Sequence, residues 1–171
     1  QLAPVEDKDA GVRDGVGHDL LTVPGEKLKA ARHADGRVAI DGFYDEVRPL
    51  PERTKAQWAG LNFDESEFLG AAGLKTGFGE PGFGAMERTW CRPTCDCNGI
   101  KGGYIGEGAK TVIASRASVK ISCRLVADMD PEKVYQQLEA HLRARVPAGF
   151  KLELTSFGRN PPIRVADESP Y

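Results

Sequence analysis

The sequence is poor in the residues from which catalytic centres are built. It has only three histidines, His18, His33 and His141. No two of them form a helical pair, and none stands beside a carboxylate set at metal-ligand spacing. The strained Gly-x-Ser-x-Gly turn of serine hydrolases is missing. No apolar run approaches the roughly 20 residues that span a bilayer, so no membrane partner is expected. A formal net charge of -2 lacks the basic excess that nucleic acid demands. The opening Gln1-Leu2-Ala3-Pro4 has no basic or apolar leader, so no retained signal peptide is expected. It also has no initiator Met, which suits a processed chain or a fragment. What remains is ordinary: 171 residues, 40% hydrophobic and 28% charged, enough for one domain with a core.

The four cysteines, Cys91, Cys95, Cys97 and Cys123, are clustered and do not resemble a disulfide framework. Free thiols in a reducing, cytoplasmic setting are expected. Spacings of three and one residues between the first three do not match structural zinc pairs, so no metal site is expected in this chain. On a strand, Cys95 and Cys97 share a face and are expected to act as small buried hydrophobes. The glycine-rich run Gly102 to Thr111 differs from a phosphate loop because Ala109 separates Gly108 from Lys110. It is expected to be a connection between strands.

The periodicities predict an α+β chain. Asp130 as N-cap, Pro131 at the first position and a stripe of Val134, Leu138, Leu142 and Val146 predict a helix over 130–146. Pro147 and Gly149 end it. Ala117, Val119, Ile121, Cys123 and Leu125 alternate with polar residues, predicting a half-buried strand. Phe150, Leu152 and Leu154 predict another, and Thr94–Ile100 a third. Upstream, Pro51–Ala59 and Gly82–Trp90 carry helix signals, with an Asp64/Glu67 capping box between them closed by Gly73. Residues 41–90 therefore look like a helical insertion in a single domain spanning 1–171. If Leu20–His33 is also a helix, the order becomes the ferredoxin-like split βαβ: a four-stranded antiparallel sheet with two helices on one face.

Several runs together resemble a known family. Asp35 to Leu50 (DGRVAIDGFYDEVRPL) is similar to the start of the insertion in bacterial carnosinase-type dipeptidases. Glu87 to Thr94 (ERTWCRPT) with Asn98-Gly99-Ile100, then Gly106 to Ile113 (GEGAKTVI), then Ser122 to Val126 (SCRLV) before Asp130-Pro131, resemble the elements that follow it. The likeness covers about Asp35 to Val165. It points to the dimerisation (lid) domain of carnosinase-type dipeptidases and of aminoacylase- and carboxypeptidase-like zinc metallopeptidases.

That resemblance implies a ferredoxin-like lid that pairs into a homodimer, while a separate domain of the parent chain holds two zinc ions and the general base. It also implies that Thr111 and Arg124 contact the peptide substrate, with Arg124 holding its carboxylate through two parallel hydrogen bonds. Alternation alone reads Arg124 as an outward strand residue that solvates the sheet. Two departures stand out. Ala114 occupies a position where the family has Pro. The lid His that polarises the scissile carbonyl has no counterpart, because Asp9 stands in its place and His18 lies out of register. Either the first thirty residues align differently, or this lid lacks that donor. A stand-alone regulatory or protein-interaction module of the same fold is the alternative reading.

Overall fold

The computed structural model describes residues 2–3, 31–111 and 114–164. In chain order the elements are β1 (Leu2–Ala3), α1 (Glu52–Ala59), α2 (Glu65–Ala71), α3 (Ala85–Trp90), β2 (Thr94–Gly102), β3 (Ala117–Arg124), α4 (Pro131–Arg143) and β4 (Glu153–Leu154). The result is a mixed α/β fold. Strands β2 and β3 form one antiparallel pair, and β1 and β4 another. Strand β1 also lies beside β3. Most of the span predicted as a first helix, 20–30, lies outside the described residues; its last three, Ala31–His33, begin a tight hairpin instead. There Arg32 bridges to Val38 and the His33 amide donates to the Arg37 carbonyl at 2.8 Å.

Helix α4 forms where the caps place it. The Asp130 carboxylate accepts from the Glu132 amide at 2.9 Å, and Pro131 occupies the first turn. Val134 and Leu142 of its apolar stripe are buried, and Leu138 packs against the core. Asp64 caps α2 by accepting from the Ser66 and Glu67 amides. The ladder of β2 and β3 is straight from Thr94↔Arg124 to Cys97↔Ile121, then shifts register between Cys97 and Gly99. This bulge explains one departure from the expected burial of both: Cys95 is buried, whereas Cys97, at the bulge, is exposed. Strand β4 is shorter than the alternation of 150–155 suggests. A ladder extends only as far as its partner, and β1 supplies two residues.

The main core joins Val38, Ile40 and Phe43 to Cys95, Met129 and Val134. Tyr44 and Val47 pack against it, so the head of the 41–90 stretch is part of this core. The three short helices beyond are more superficial: α1 and α2 bury no residue, and α3 buries only Ala85. They are fastened by side chains. Trp58 meets Trp90 edge-on with centroids 5.0 Å apart, and Arg92 forms a two-pronged ion pair with Glu80 at 2.7 and 2.6 Å.

Gly36 is required by both its torsion and its neighbour. Its φ is +94°, and a Cβ there would sit 2.6 Å from the Gly79 carbonyl oxygen and 2.9 Å from the Gly79 Cα. Backbone cannot withdraw as a flexible side chain can. The Gly36→Ala variant is expected to lose about 2–4 kcal/mol of stability, the sum of left-handed strain and a backbone shift. A lowered urea midpoint with native-like circular dichroism checks this.

A carboxylate also pins the N-terminus of α4. Glu46 accepts from the Asp130 amide at 2.9 Å and from Lys133 Nζ at 3.0 Å. The amide bond first, and then the lysine, hold its carboxyl below the ordinary value of 4.5. A depressed carboxyl stabilises the fold above its unfolded value, and the benefit disappears as pH falls through the lower folded value. The stability gap between wild type and Glu46→Gln is therefore expected to be constant near neutrality and to close below about pH 4. Urea melts across that pH range measure it.

Candidate functional site

The clearest candidate is a groove of about 510 Å³ between the end of β3, the first half of α4 and the 154–162 segment. Arg124 forms part of its wall, with Tyr135, Leu138, Ser156, Arg159 and Asn160 around it. Arg124 is the last residue of β3, opposite Thr94, and lines the groove beside Cys123 and Leu125. Its side chain is exposed. Among the described residues it has no hydrogen-bond or ion-pair partner.

The other charges on the groove are already neutralised. Arg159 pairs with Glu132 and stacks over the Tyr135 ring, 3.7 Å from its centroid. Glu139 pairs with Arg143 at 2.6 Å. The guanidinium pulls the Glu132 carboxyl below its usual range. Among the described residues Arg124 is thus left uncompensated on the groove, and its planar fork of donors suits a carboxylate. No motif or periodicity marks Ser156, Arg159 or Asn160 in the sequence. Only the path of the 155–162 segment across α4 brings them to Arg124.

Thr111 is exposed and lies on the return from β2 to β3. The structure does not join it to Arg124. Strand β3 starts at Ala117, six residues past Thr111, and runs about 24 Å to Arg124 at strand spacing. The glycine-rich connection is organised locally, as its reading as a strand connection expects: Tyr104 donates to the Glu107 carbonyl at 3.0 Å, and Lys110 Nζ sits 5.6 Å from the Tyr104 ring. Ala114, where the family has Pro, is buried with Ala117 against Phe150. Asp9 and His18 lie outside the described residues.

Beneath Arg124, Cys95 and Cys123 face each other across the ladder, and both are free thiols. They share a hydrogen bond, which raises Cys123, as burial also does, and lowers Cys95, aided by the nearby Arg32 charge. Arg32 itself donates to the Cys95 carbonyl at 3.0 Å and to Asp96 at 2.7 Å. Among the described residues no three His, Cys, Asp or Glu side chains gather where a metal could bind. The described residues do not fit a zinc centre. Among the described residues no helix is long and apolar enough to cross a membrane.

Several known proteins are similar to this chain. The Cys-Gly metallodipeptidase DUG1 of Saccharomyces cerevisiae is 30% identical over 142 residues, covering 83% of this chain and 30% of that protein. The Beta-Ala-His dipeptidase of Homo sapiens is 25% identical over 170 residues, covering 97% of this chain and 34% of that protein. Among solved structures, an M20 family metallo-carboxypeptidase, Sso-CP2 from Sulfolobus solfataricus, superposes with a TM-score of 0.75 at 29% identity, covering 97% of this chain and 44% of that one. Human carnosine dipeptidase 1 shares the fold with a TM-score of 0.76 at 24% identity, covering 90% of this chain and 34% of that one. The chain thus spans about a third of the length of these curated relatives. Residues 14–149 match the peptidase dimerisation domain. This chain belongs to that family, the dimerisation domain found in carnosinase-type M20 metallopeptidases.

Proposed function

We propose that the chain is the lid of a zinc-dependent dipeptidase or carboxypeptidase-like hydrolase, and that it grips the substrate's carboxylate while a separate catalytic domain cleaves the bond. The observation that carries this is the Arg124 guanidinium on the wall of the groove, without a partner among the described residues. Thr111, on the connection between β2 and β3, is a second substrate contact separate from the Arg124 groove, since it lies at the opposite end of β3. In this reading residues 1–171 form one domain and 41–90 a helical insertion within it. The pairings β4–β1 and β3–β2, with β1 beside β3, support the order of a ferredoxin-like sheet, 4-1-3-2. That order leaves β2 at an edge, open to a second copy, which supports a homodimer. The two zinc ions belong to the catalytic domain, and four free thiols support a cytoplasmic protein.

Alone, the chain is inert in this reading. Incubation with zinc and a panel of dipeptides is expected to give no hydrolysis above background. Zinc-dependent turnover by the purified chain would overturn the proposal. Sedimentation at high concentration should show dimers, and a strict monomer would count against the paired lid.

A further inference from the structure

The strand register places two cysteines where a disulfide can close without moving the backbone. Cys95 and Cys123 are directly opposite in the antiparallel ladder of β2 and β3, within its straight section and away from the bulge. Opposite residues in such a ladder hold their Cα atoms about 4.5–5.5 Å apart. Disulfides span about 4.4–6.8 Å, so either kind of ladder pair falls inside the window. Directly opposite each other in the ladder, the two side chains lie on one face of it. The pair is also reachable. Cys95 is 6% exposed in the core, whereas Cys123 is half-buried and lines the groove beside Arg124.

We propose that Cys95 and Cys123 form a thiol–disulfide site, oxidised by low-molecular-weight disulfides that enter the groove. Cys123, the more accessible of the two thiols, gives up its proton as it attacks one sulfur of R–S–S–R, forming Cys123–S–S–R and releasing R–S⁻. The Cys95 thiolate then attacks Cys123 Sγ, closing the Cys95–Cys123 bond and releasing a second R–S⁻. The two thiol protons end on two molecules of R–SH, and the two electrons of the protein dithiol reduce the incoming disulfide. Cys95 is suited to the second step because the Arg32 charge favours its thiolate while the half-buried Cys123 takes the first exchange. The product fastens β2 to β3 one residue from Arg124. Cys97 plays no part, since it faces Ile121 at the bulge. The site is independent of whether Arg124 holds a substrate.

The test uses the full chain with oxidised glutathione under native conditions, quenched by alkylation and digested with trypsin. Cys123 falls in the peptide Ile121–Arg124, and Cys95 in Thr89–Lys101 together with Cys91 and Cys97. A Cys91→Ser/Cys97→Ser variant therefore leaves Cys95 as the only thiol of its peptide. A cross-link between the two peptides is expected in wild type and in this variant, reversed by reductant, with a higher unfolding midpoint in the linked protein. Alkylation of both Cys95 and Cys123 after oxidation, or a glutathione adduct that persists on Cys123 without a cross-link, would overturn the proposal. So would a linked protein that melts earlier, because the register would then not present an unstrained pair.

Discussion

Under the proposed function, replacing Arg124 with alanine in a metallopeptidase carrying this domain is expected to lower kcat/KM for dipeptides by roughly 100- to 1,000-fold, an effect of about 3–4 kcal/mol. Two charge-assisted hydrogen bonds are lost together, and each is worth about 1.5–3 kcal/mol when the partner is a desolvated carboxylate. The thermal midpoint should stay where it is. Arg124 is exposed and has no partner to strand among the described residues, and such surface changes fall within about 0.5 kcal/mol. Arg124→Lys keeps the charge but not the fork, and an intermediate loss of about tenfold is expected. A dipeptide amide, which lacks the carboxylate, supplies the internal control: wild type and Arg124→Ala should turn it over equally slowly. If the alanine variant lost the same factor on the amide, Arg124 would be holding something other than the carboxylate.

The Arg92→Ala variant is expected to be the most damaging change to stability, at about 3–5 kcal/mol. Arg92 and Glu80 are only 12% and 13% exposed, so removing the guanidinium leaves a carboxylate without its counter-charge in a largely dry place. The side chain also lies 4.2 Å from the Phe83 ring centroid and 5.3 Å from that of Tyr44, contacts that a methyl group cannot replace. It thereby links the 80–83 turn to Tyr44 of the core and to the start of β2. Arg92→Lys keeps a charge but loses the two-pronged geometry and the flat stacking surface, so a loss of about 1–2 kcal/mol is expected. Replacing both partners with apolar residues, as in Arg92→Met with Glu80→Leu, should restore much of the difference, because no charge is then left buried. Urea unfolding of the four proteins separates these cases. An Arg92→Ala protein as stable as wild type would show that the pair is no more than a surface contact.

Both predictions concern residues whose importance is not visible at the level of local pattern. In sequence, Arg92 is one of 23 lysines and arginines, and Glu80 precedes it by twelve residues with no periodic relation. Arg124 was marked by resemblance to a family, while alternation alone reads it as a solvating residue. What distinguishes it is negative in character: nearby Glu132 and Glu139 are committed to Arg159 and Arg143. Such commitment follows from side chains meeting across α4 and the 155–162 segment. Thr111 shows the opposite case. The motif around it is clear, yet its placement before β3 puts it at the far end of the strand from Arg124.

By itself the sequence determined the pieces whose conformation depends on near neighbours. The Asp130 cap, Pro131 and the four-residue stripe specify α4, Asp64 specifies the start of α2, and period-two alternation specifies β3. It also determined the family, through motifs spread along most of the chain. Only the tertiary structure decided which of these pieces face one another. It set Cys95 against Cys123, exposed Cys97 at a bulge, drew Phe43 from the head of the helical stretch into the main core, and left Arg124 on its groove without a partner among the described residues. The physical reason is range. Caps and periodicity act within one or two turns of chain, whereas register, ion-pair choice and burial are settled between segments tens of residues apart, by how their surfaces fit.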